Sequence, residues 1–228
     1  MTIPVSIEKM ETRWIAYAAG LPGCFSSSED RDAAAAGIPA ELCAYLDWSA
    51  RHGEPLSGVD VSAPVEIREI IAEWVHPGSG EAVNAFFAAD VPPLTTAEIA
   101  RDACLFDWTR ADLLEAIAGL APEILDRPVV GDWSIGGIFY HTTRGDWWYL
   151  RALGLAPSWS ASPKNGLPAL LDWTQSLILA ALPGLVDQTR VESYNGELWS
   201  PRKFLRRALW HRRDHTAHIH QFRAALGL

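Results

Sequence analysis

Hydrophobic and polar positions follow one kind of pattern before the Pro92–Pro93 pair and another after it. In the first part, apolar residues form short runs rich in β-branched and aromatic side chains, separated by turn residues, which indicates strands with some helix. In the second part, apolar residues recur every three or four positions, which is typical of amphipathic helices. The pattern therefore predicts an α+β domain over residues 1–92 and an all-α four-helix bundle over residues 93–228.

The first part is predicted to combine a sheet with one interrupted helix. Its predicted elements are strands at 4–8 and 14–18, a helix that starts within 26–30 and ends near 51–53, and a hairpin formed by 65–74 and 81–90. Pro39 lies inside the predicted helix and lacks a backbone donor, so we expect a break or kink there.

The second part is predicted to contain four long helices. Their predicted bounds are 96–121, 134–153, 167–182 and 201–226. A helix N-cap follows the proline linker, with Glu98 in the first turn, and Ser134 and Ser200 are N-cap residues of later helices. Pro201 fits the first helical position after Ser200.

The last helix carries histidines on its apolar side. At about 100° per residue, His211, His215 and His218 fall within about 60° of one another, on the stripe that also carries apolar residues at 204, 208, 222 and 225. On an earlier helix, His141 shares its face with Ile138, so it is also expected to face the core. Three such imidazoles on two helices could hold one metal ion and leave coordination positions open. The alternative is a set of core histidines satisfied by hydrogen bonds.

Apart from Arg207, which lies at the edge of the stripe, the arginines of the last helix and its remaining histidine point elsewhere. His220 lies on the opposite face and is predicted to be a surface residue. The arginines Arg206, Arg212, Arg213 and Arg223 also turn away from the histidine stripe. A solvated basic face is favoured over an anion site for them.

Charge and cysteine content narrow the classes of partner. The net charge of −9 arises in residues 1–92, where five basic residues face fourteen acidic ones. An acidic domain is a poor match to phosphate backbones, so no nucleic-acid partner is expected. No apolar run is long enough for a bilayer and no signal peptide is recognisable, which predicts a cytoplasmic protein without membrane partners. Three widely spaced cysteines fit reduced thiols in that compartment.

The N-terminal part resembles the HicB-like family. The resemblance covers residues 3–56 and is carried by Ile-Glu at 7–8, Trp-Ile-Ala-Tyr at 14–17, Leu-Pro-Gly-Cys-Phe at 21–25 and Gly-Glu-Pro at 53–55. It implies a three-stranded sheet with a helix and a structural or partner-binding role. It does not imply antitoxin activity, because the chain shows no match to the DNA-binding segment that members often carry.

The second part resembles the DinB-like superfamily over residues 96–227. The carriers are Gly-Asp-Trp-Ser-Ile-Gly-Gly-Ile-Phe-Tyr-His at 131–141, Trp-Trp-Tyr-Leu at 147–150, the stretch 113–128, and His-x3-His at 211–215. The resemblance implies that His141, His211 and His215 are ligands of a divalent metal. Where the family commonly has Arg-Gly-Gln, this chain has Thr-Ala-His at 216–218. His218 could therefore be a fourth ligand, a hydrogen-bond donor to a ligand, or a general base.

The resemblance implies metal-assisted nucleophilic chemistry. An ion held by neutral imidazoles, whether zinc, nickel, iron, manganese or copper, could activate a thiol or water for transfer to, or hydrolysis of, a small molecule. His218 and Asp146 are the candidate acid–base residues, although Asp146 could equally support a ligand or form a surface salt bridge. A low-molecular-weight thiol is one expected substrate, and the N-terminal domain is expected to be a lid, a homodimerisation surface or a regulatory module. The alternative is a non-catalytic metal-binding stress or interaction protein whose HicB-like domain binds a partner.

Overall fold

The computed structural model describes residues 2–53, 58–75, 78, 80 and 82–228, which divide into two units. The first unit contains residues 1–92 and 191–203, and the second contains residues 93–190 and 204–228. In chain order the elements are β1 (Ile3–Met10), β2 (Arg13–Ala18), β3 (Phe25–Ser28), α1 (Arg31–Ala36), α2 (Ile38–Arg51), β4 (Val65–Ile71), β5 (Trp74–Val75), β6 (Ala82–Val83), α3 (Thr96–Ile117), α4 (Pro122–Leu125), β7 (Pro128–Val130), β8 (Trp133–Ser134), α5 (Ile135–Ala152), α6 (Leu167–Ala181), β9 (Glu192–Tyr194), β10 (Glu197–Trp199) and α7 (Pro201–Ala225).

A four-stranded sheet with the order β3-β2-β1-β4 forms the first unit. Strands β1, β2 and β3 are antiparallel neighbours, whereas β4 runs parallel to β1. The two predicted strands are confirmed, and the predicted helix is divided at Gly37 into α1 and α2, with Pro39 in the first turn of α2. The sheet is flanked by this helix pair, so the unit is α+β.

Two predictions for the first unit were wrong in detail. Residues 26–28 belong to strand β3, and the helix begins only after Asp30, whose carboxylate accepts a hydrogen bond from Ala33. The predicted hairpin of 65–74 and 81–90 is reduced to β5 and β6, because 65–71 pairs instead with the free edge of the buried strand β1. Most of the predicted hairpin loop, including His76, lies outside the described residues, as do Glu54 and Pro55 of the HicB-like resemblance.

Residues 191–203 complete the first unit. Asn195 and Gly196 both have positive φ values, of 49° and 76°, and they connect β9 to β10 in a tight hairpin. Just after it, the fully buried Lys203 pairs with Glu197 at 2.8 Å and donates to the carbonyl of Asn84 at 3.0 Å. The domain boundaries inferred from the sequence stay a prediction, and the structure adds this returning segment to the first unit.

Four long helices, α3, α5, α6 and α7, form the second unit around one core. Each helix contributes buried side chains to it, represented by Leu113, Phe139, Leu171 and Ile219. The observed helix bounds lie close to the predicted ones, and α3 ends earlier than predicted, at Ile117. Among the described residues, no helix is both long enough and apolar enough to cross a bilayer.

Capping residues position the two helices that carry the histidine site. The Ser134 hydroxyl accepts a hydrogen bond from the Gly137 amide at 3.0 Å at the start of α5. The Ser200 hydroxyl accepts one from the Lys203 amide at 3.0 Å at the start of α7. Both predicted N-caps are therefore confirmed, and they fix the first residue of each helix.

Candidate metal centre

The structure brings together the three histidines that the sequence singles out as ligands. His141 lies on α5, and His211 and His215 lie one turn apart on α7. The Nε2 atoms of His141 and His211 are 3.1 Å apart, and one ring nitrogen from each of the three residues lies within 4.8 Å of the other two. The predicted convergence of two helices on one point is present.

Gly145 allows this convergence. A Cβ atom at residue 145 would lie 2.6 Å from Cε1 and 2.9 Å from Nδ1 of His211. Real side chains do not approach so closely, so the His211 ring packs directly on the backbone of α5. Any larger residue at this position would displace the imidazole from His141.

The environment of His211 keeps its imidazole neutral. Its side chain is buried, with ring contacts to Tyr149 at 5.6 Å and Trp210 at 5.8 Å between centroids. Burial, reinforced by the charges of His215 and His141, holds the pKa of His211 well below its usual range. A neutral imidazole is the form that binds a metal ion.

His141 differs from the prediction that it faces the core, because its side chain is exposed. It lies near the start of α5, where its neighbour is Trp133 of the short β7–β8 hairpin, edge-on at 5.4 Å between ring centroids. Trp133 itself is 48% exposed, so it covers His141 only in part. Partial desolvation lowers the pKa of His141, which also favours its neutral form at neutral pH. The histidine cluster therefore has one buried side and one exposed side.

His218 lies beside the cluster and contacts His215. Their Nδ1 atoms are 3.1 Å apart, and Nδ1 of His218 is 3.9 Å from a carboxylate oxygen of the buried Asp214. Asp214, His215 and His218 form a second group whose ligand atoms could hold a cation. His220, two residues further along α7, is exposed as predicted.

Asp146 lies in a buried ion pair. Its carboxylate accepts a hydrogen bond from Arg212 at 2.9 Å, and both side chains are fully buried. Burial raises the pKa of Asp146 to about 6, and the charge and hydrogen bond of Arg212 oppose the rise. The acid–base role of Asp146 stays a prediction, and neither residue belongs to the two histidine groups.

The burial of Arg212 corrects the prediction of a solvated basic face on α7. Its guanidinium reaches the Phe106 carbonyl at 3.0 Å and the Gln175 side-chain oxygen at 2.8 Å, in addition to Asp146. Sequence reasoning missed this pair because an arginine outside the apolar stripe is usually exposed. The one available signal was Asp146 itself, a carboxylate on a helix that is otherwise largely apolar and aromatic.

The second unit is therefore a four-helix bundle in which histidines from two helices meet at one point. The model of the DinB superfamily matches residues 105–219, which is just over half of the chain and includes every residue of the histidine cluster. The chain belongs to the DinB superfamily. This match does not extend to the N-terminal region, so the HicB-like resemblance stays a prediction.

Comparison with solved structures and with curated proteins adds two findings. The chain is similar to YfiT from Bacillus subtilis, described as a probable metal-dependent hydrolase with an unusual four-helix bundle topology. The two share 20% sequence identity with a TM-score of 0.48, over 67% of this chain and 98% of YfiT. No curated protein matches the chain.

Proposed function

We propose that this protein is a metal-dependent enzyme that acts on a small molecule, with His141, His211 and His215 as the ligands of a divalent ion. The observation that carries the proposal is the asymmetry of the cluster, in which His211 is buried and His141 is exposed. A ligand set with one exposed side leaves room for a substrate beside the ion, as catalytic sites require.

The residues fit a divalent ion. Two imidazole nitrogens bound to one ion at roughly 2.0–2.1 Å must be separated by about 2.8–3.4 Å for bond angles between a right angle and the tetrahedral angle. The 3.1 Å between Nε2 of His141 and Nε2 of His211 lies in this range. Neutral imidazoles suit zinc, nickel, iron, copper or manganese to different degrees, so the donor set supports the class of ion rather than one element.

When bound, such an ion would lower the pKa of a coordinated thiol or water and so provide a nucleophile near neutral pH. The protein side chains have separate tasks. Tyr149 and Trp210 enclose the buried side of the site and keep the His211 environment apolar, while Trp133 borders the exposed side. We therefore propose that the substrate, a low-molecular-weight thiol among the candidates, approaches past Trp133 and His141.

Acid–base assistance is proposed for His218 rather than for Asp146. The His218 side chain is 32% exposed, so solvent can reach its ring. Its Nδ1 atom is also only 3.1 Å from Nδ1 of the proposed ligand His215. Asp146 is fully buried against Arg212, a position that suits a structural ion pair. Thiol transfer and amide or related hydrolysis are both consistent with this arrangement.

The second candidate function is a metal-binding interaction protein without catalysis. The group of Asp214, His215 and His218 favours it, because His218 as a fourth ligand would close the coordination sphere. In this alternative, the ion stabilises the bundle and the N-terminal domain binds a partner.

Cobalt substitution separates the two functions. We would strip the protein of metal, load it with Co²⁺ and add a small thiol while recording the visible and near-ultraviolet spectrum. A catalytic site with an open position would bind the thiolate and develop a sulfur-to-cobalt charge-transfer band. A spectrum that changes neither on addition of thiol or azide nor on exchange of a bound water would contradict the proposed enzyme. It would favour an ion with a closed coordination sphere. A responsive site would then be assayed for thiol transfer and amide hydrolysis.

A further inference from the structure

His215 and His218 of α7 contact each other, each through its Nδ1 atom. The Nδ1 atoms of His215 and His218 are 3.1 Å apart, and the two rings have centroids 5.3 Å apart and planes tilted by 48°. At this distance one nitrogen carries the proton and donates it, while the other accepts through its lone pair. The direction of this one hydrogen bond fixes the tautomer of both imidazoles.

The direction matters because His215 is a proposed ligand. If Nδ1 of His215 carries the proton, its lone pair is on Nε2, which can then bind the ion. If His218 donates instead, His215 carries its proton on Nε2 and presents no lone pair there. Histidine ligands in proteins usually donate their second ring N–H to a neighbouring acceptor for this reason.

We propose that His218 is a positioning residue for the metal ligand His215. It accepts the Nδ1–H of His215 and thereby holds Nε2 of His215 unprotonated for the ion. The proposal rests on the proposed function, since it requires His215 to be a ligand.

The surroundings of His218 suit the role of acceptor. Its Nδ1 is 3.9 Å from the Asp214 carboxylate, which is longer than a hydrogen bond, so that carboxylate does not require a proton on this nitrogen. His218 is only half-buried, and its other nitrogen can carry its proton. A Gln side chain at this position would also offer an acceptor, through its amide oxygen.

Zinc affinity of full-length variants tests the proposal. The variants are His218→Ala, which removes the acceptor, His218→Gln, which restores one, and His220→Ala, which removes an exposed imidazole from the same helix. Calorimetric titration of the metal-free proteins should give one Zn²⁺ per wild-type chain. The affinity should fall about 10–100-fold in His218→Ala, the usual effect of losing the hydrogen-bond partner of a ligand. It should largely recover in His218→Gln and stay unchanged in His220→Ala.

The tautomer provides a readout that a purely structural role would not change. In ¹⁵N-histidine-labelled wild-type protein with zinc, long-range ¹H–¹⁵N correlations should show His215 protonated at Nδ1 and metal-bound through Nε2. In the metal-free protein, the same tautomer should dominate in wild type and lose its dominance in His218→Ala. Thermal unfolding of each variant verifies that it is folded.

Three results would overturn the proposal while leaving the proposed function intact. The first is equal zinc affinity in wild type and His218→Ala, and the second is binding of zinc through Nδ1 of His215. The third is binding of two ions per wild-type chain with one lost in His218→Ala, because His218 would then be a ligand itself. A wild-type protein that binds no zinc, nickel or manganese would instead overturn the proposed function and this inference together.

Discussion

Gly145 determines how closely His211 can approach α5, and this single residue makes the histidine cluster sterically feasible. The His211 ring occupies the space that a Cβ atom at residue 145 would need, 2.6 Å from the nearest ring carbon. The ring cannot retreat easily, because Tyr149 and Trp210 contact it. The ligand set therefore depends on a residue that has no side chain.

We predict that Gly145→Ala weakens zinc binding and also lowers the unfolding free energy. Overpacking of this kind costs about 1–3 kcal/mol of unfolding free energy. Because the displaced atom belongs to a ligand, we expect zinc affinity to fall at least about tenfold. Calorimetry and urea unfolding measure the two effects. Gly184→Ala is the control, since a Cβ atom there would contact nothing within 4 Å.

The lowered pKa of His211 predicts a pH dependence of stability in the metal-free protein. The pKa of His211 in the folded state is below the unfolded value of 6.5. Neutral His211 therefore contributes fully to the unfolding free energy above pH 6.5, and this contribution is lost as pH falls toward the folded-state pKa. Asp146 acts in the opposite sense: its pKa is raised to about 6 from 3.8, so its contribution is present at low pH and is lost as pH rises through 6.

A variant comparison separates the two groups. Between pH 7.5 and 5.5, wild type should lose more unfolding free energy than His211→Gln, by up to about 1.4 kcal/mol per pH unit below 6.5, the limit for one proton. The Asp146 contribution is common to both proteins and cancels in the difference. Parallel curves from urea denaturation at each pH would show that His211 is not held neutral.

At the scale of residues, the sequence predicted which histidines lie together but not how exposed each side chain is. Helical spacing placed His211 and His215 on one face of α7 and His141 on the apolar face of α5, and the resemblance then implied that the three share one ion. His141 contacts α7 on one side, but on the other its neighbour is Trp133 of the short β7–β8 hairpin, which covers it only in part. Residue spacing within one helix does not contain that information.

At the scale of elements, Arg212 connects four helices. From α7 it contacts Asp146 on α5, Phe106 on α3 and Gln175 on α6. The Gln175 amide in turn donates to Asp107 on α3 at 2.8 Å. Arg212 directly follows the proposed ligand His211, so this network fixes α7 at the level of the site.

We predict that Arg212→Met lowers the unfolding free energy by about 3–5 kcal/mol, because it leaves Asp146 buried without its partner. The double variant Asp146→Leu/Arg212→Met should be less damaging than Arg212→Met alone, since it leaves no unpaired charge. Urea unfolding at pH 8 measures both. Arg110→Met removes the exposed ion pair with Asp172 and should cost no more than about 1 kcal/mol. An equal loss in Arg110→Met and Arg212→Met would contradict the assigned role of burial.

Helix ends were more predictable than strand pairing. Ser134 and Ser200 cap α5 and α7 as predicted, because a cap is a local interaction between residues three positions apart. The pairing of β4 with β1 is not local, since it joins residues about sixty positions apart. The β9–β10 hairpin was missed although Asn195-Gly196 is a strong local turn signal.

At the scale of the whole molecule, the first unit is built from two separate stretches of the chain, residues 1–92 and 191–203. Glu197 and Lys203 form a buried ion pair, and the neighbouring Trp199 is fully buried. The hydrophobic pattern and the proline pair predicted a division near Pro92, but a pattern along the chain cannot show that a later segment returns to an earlier domain. The sequence thus predicted the two fold classes but not this return.

We predict that Glu197→Ala destabilises the first unit by about 3–5 kcal/mol, because Lys203 would remain buried without its carboxylate partner. Hydrogen exchange should show faster exchange of the amides in β1 and β10. Glu192→Ala removes an exposed carboxylate from the same hairpin and should leave exchange unchanged. Equal protection in Glu197→Ala and Glu192→Ala would mean that the ion pair does not hold this segment in place.

The metal content of the untagged protein tests the central claim most directly. Elemental analysis should find about one equivalent of a divalent transition metal per wild-type chain, either as purified or after reconstitution with zinc, nickel or manganese. The double variant His211→Ala/His215→Ala should contain none while its circular dichroism spectrum remains helical. A wild-type chain that binds no metal under any of these conditions, or a folded double variant that binds as much as wild type, would contradict the histidine site proposed here.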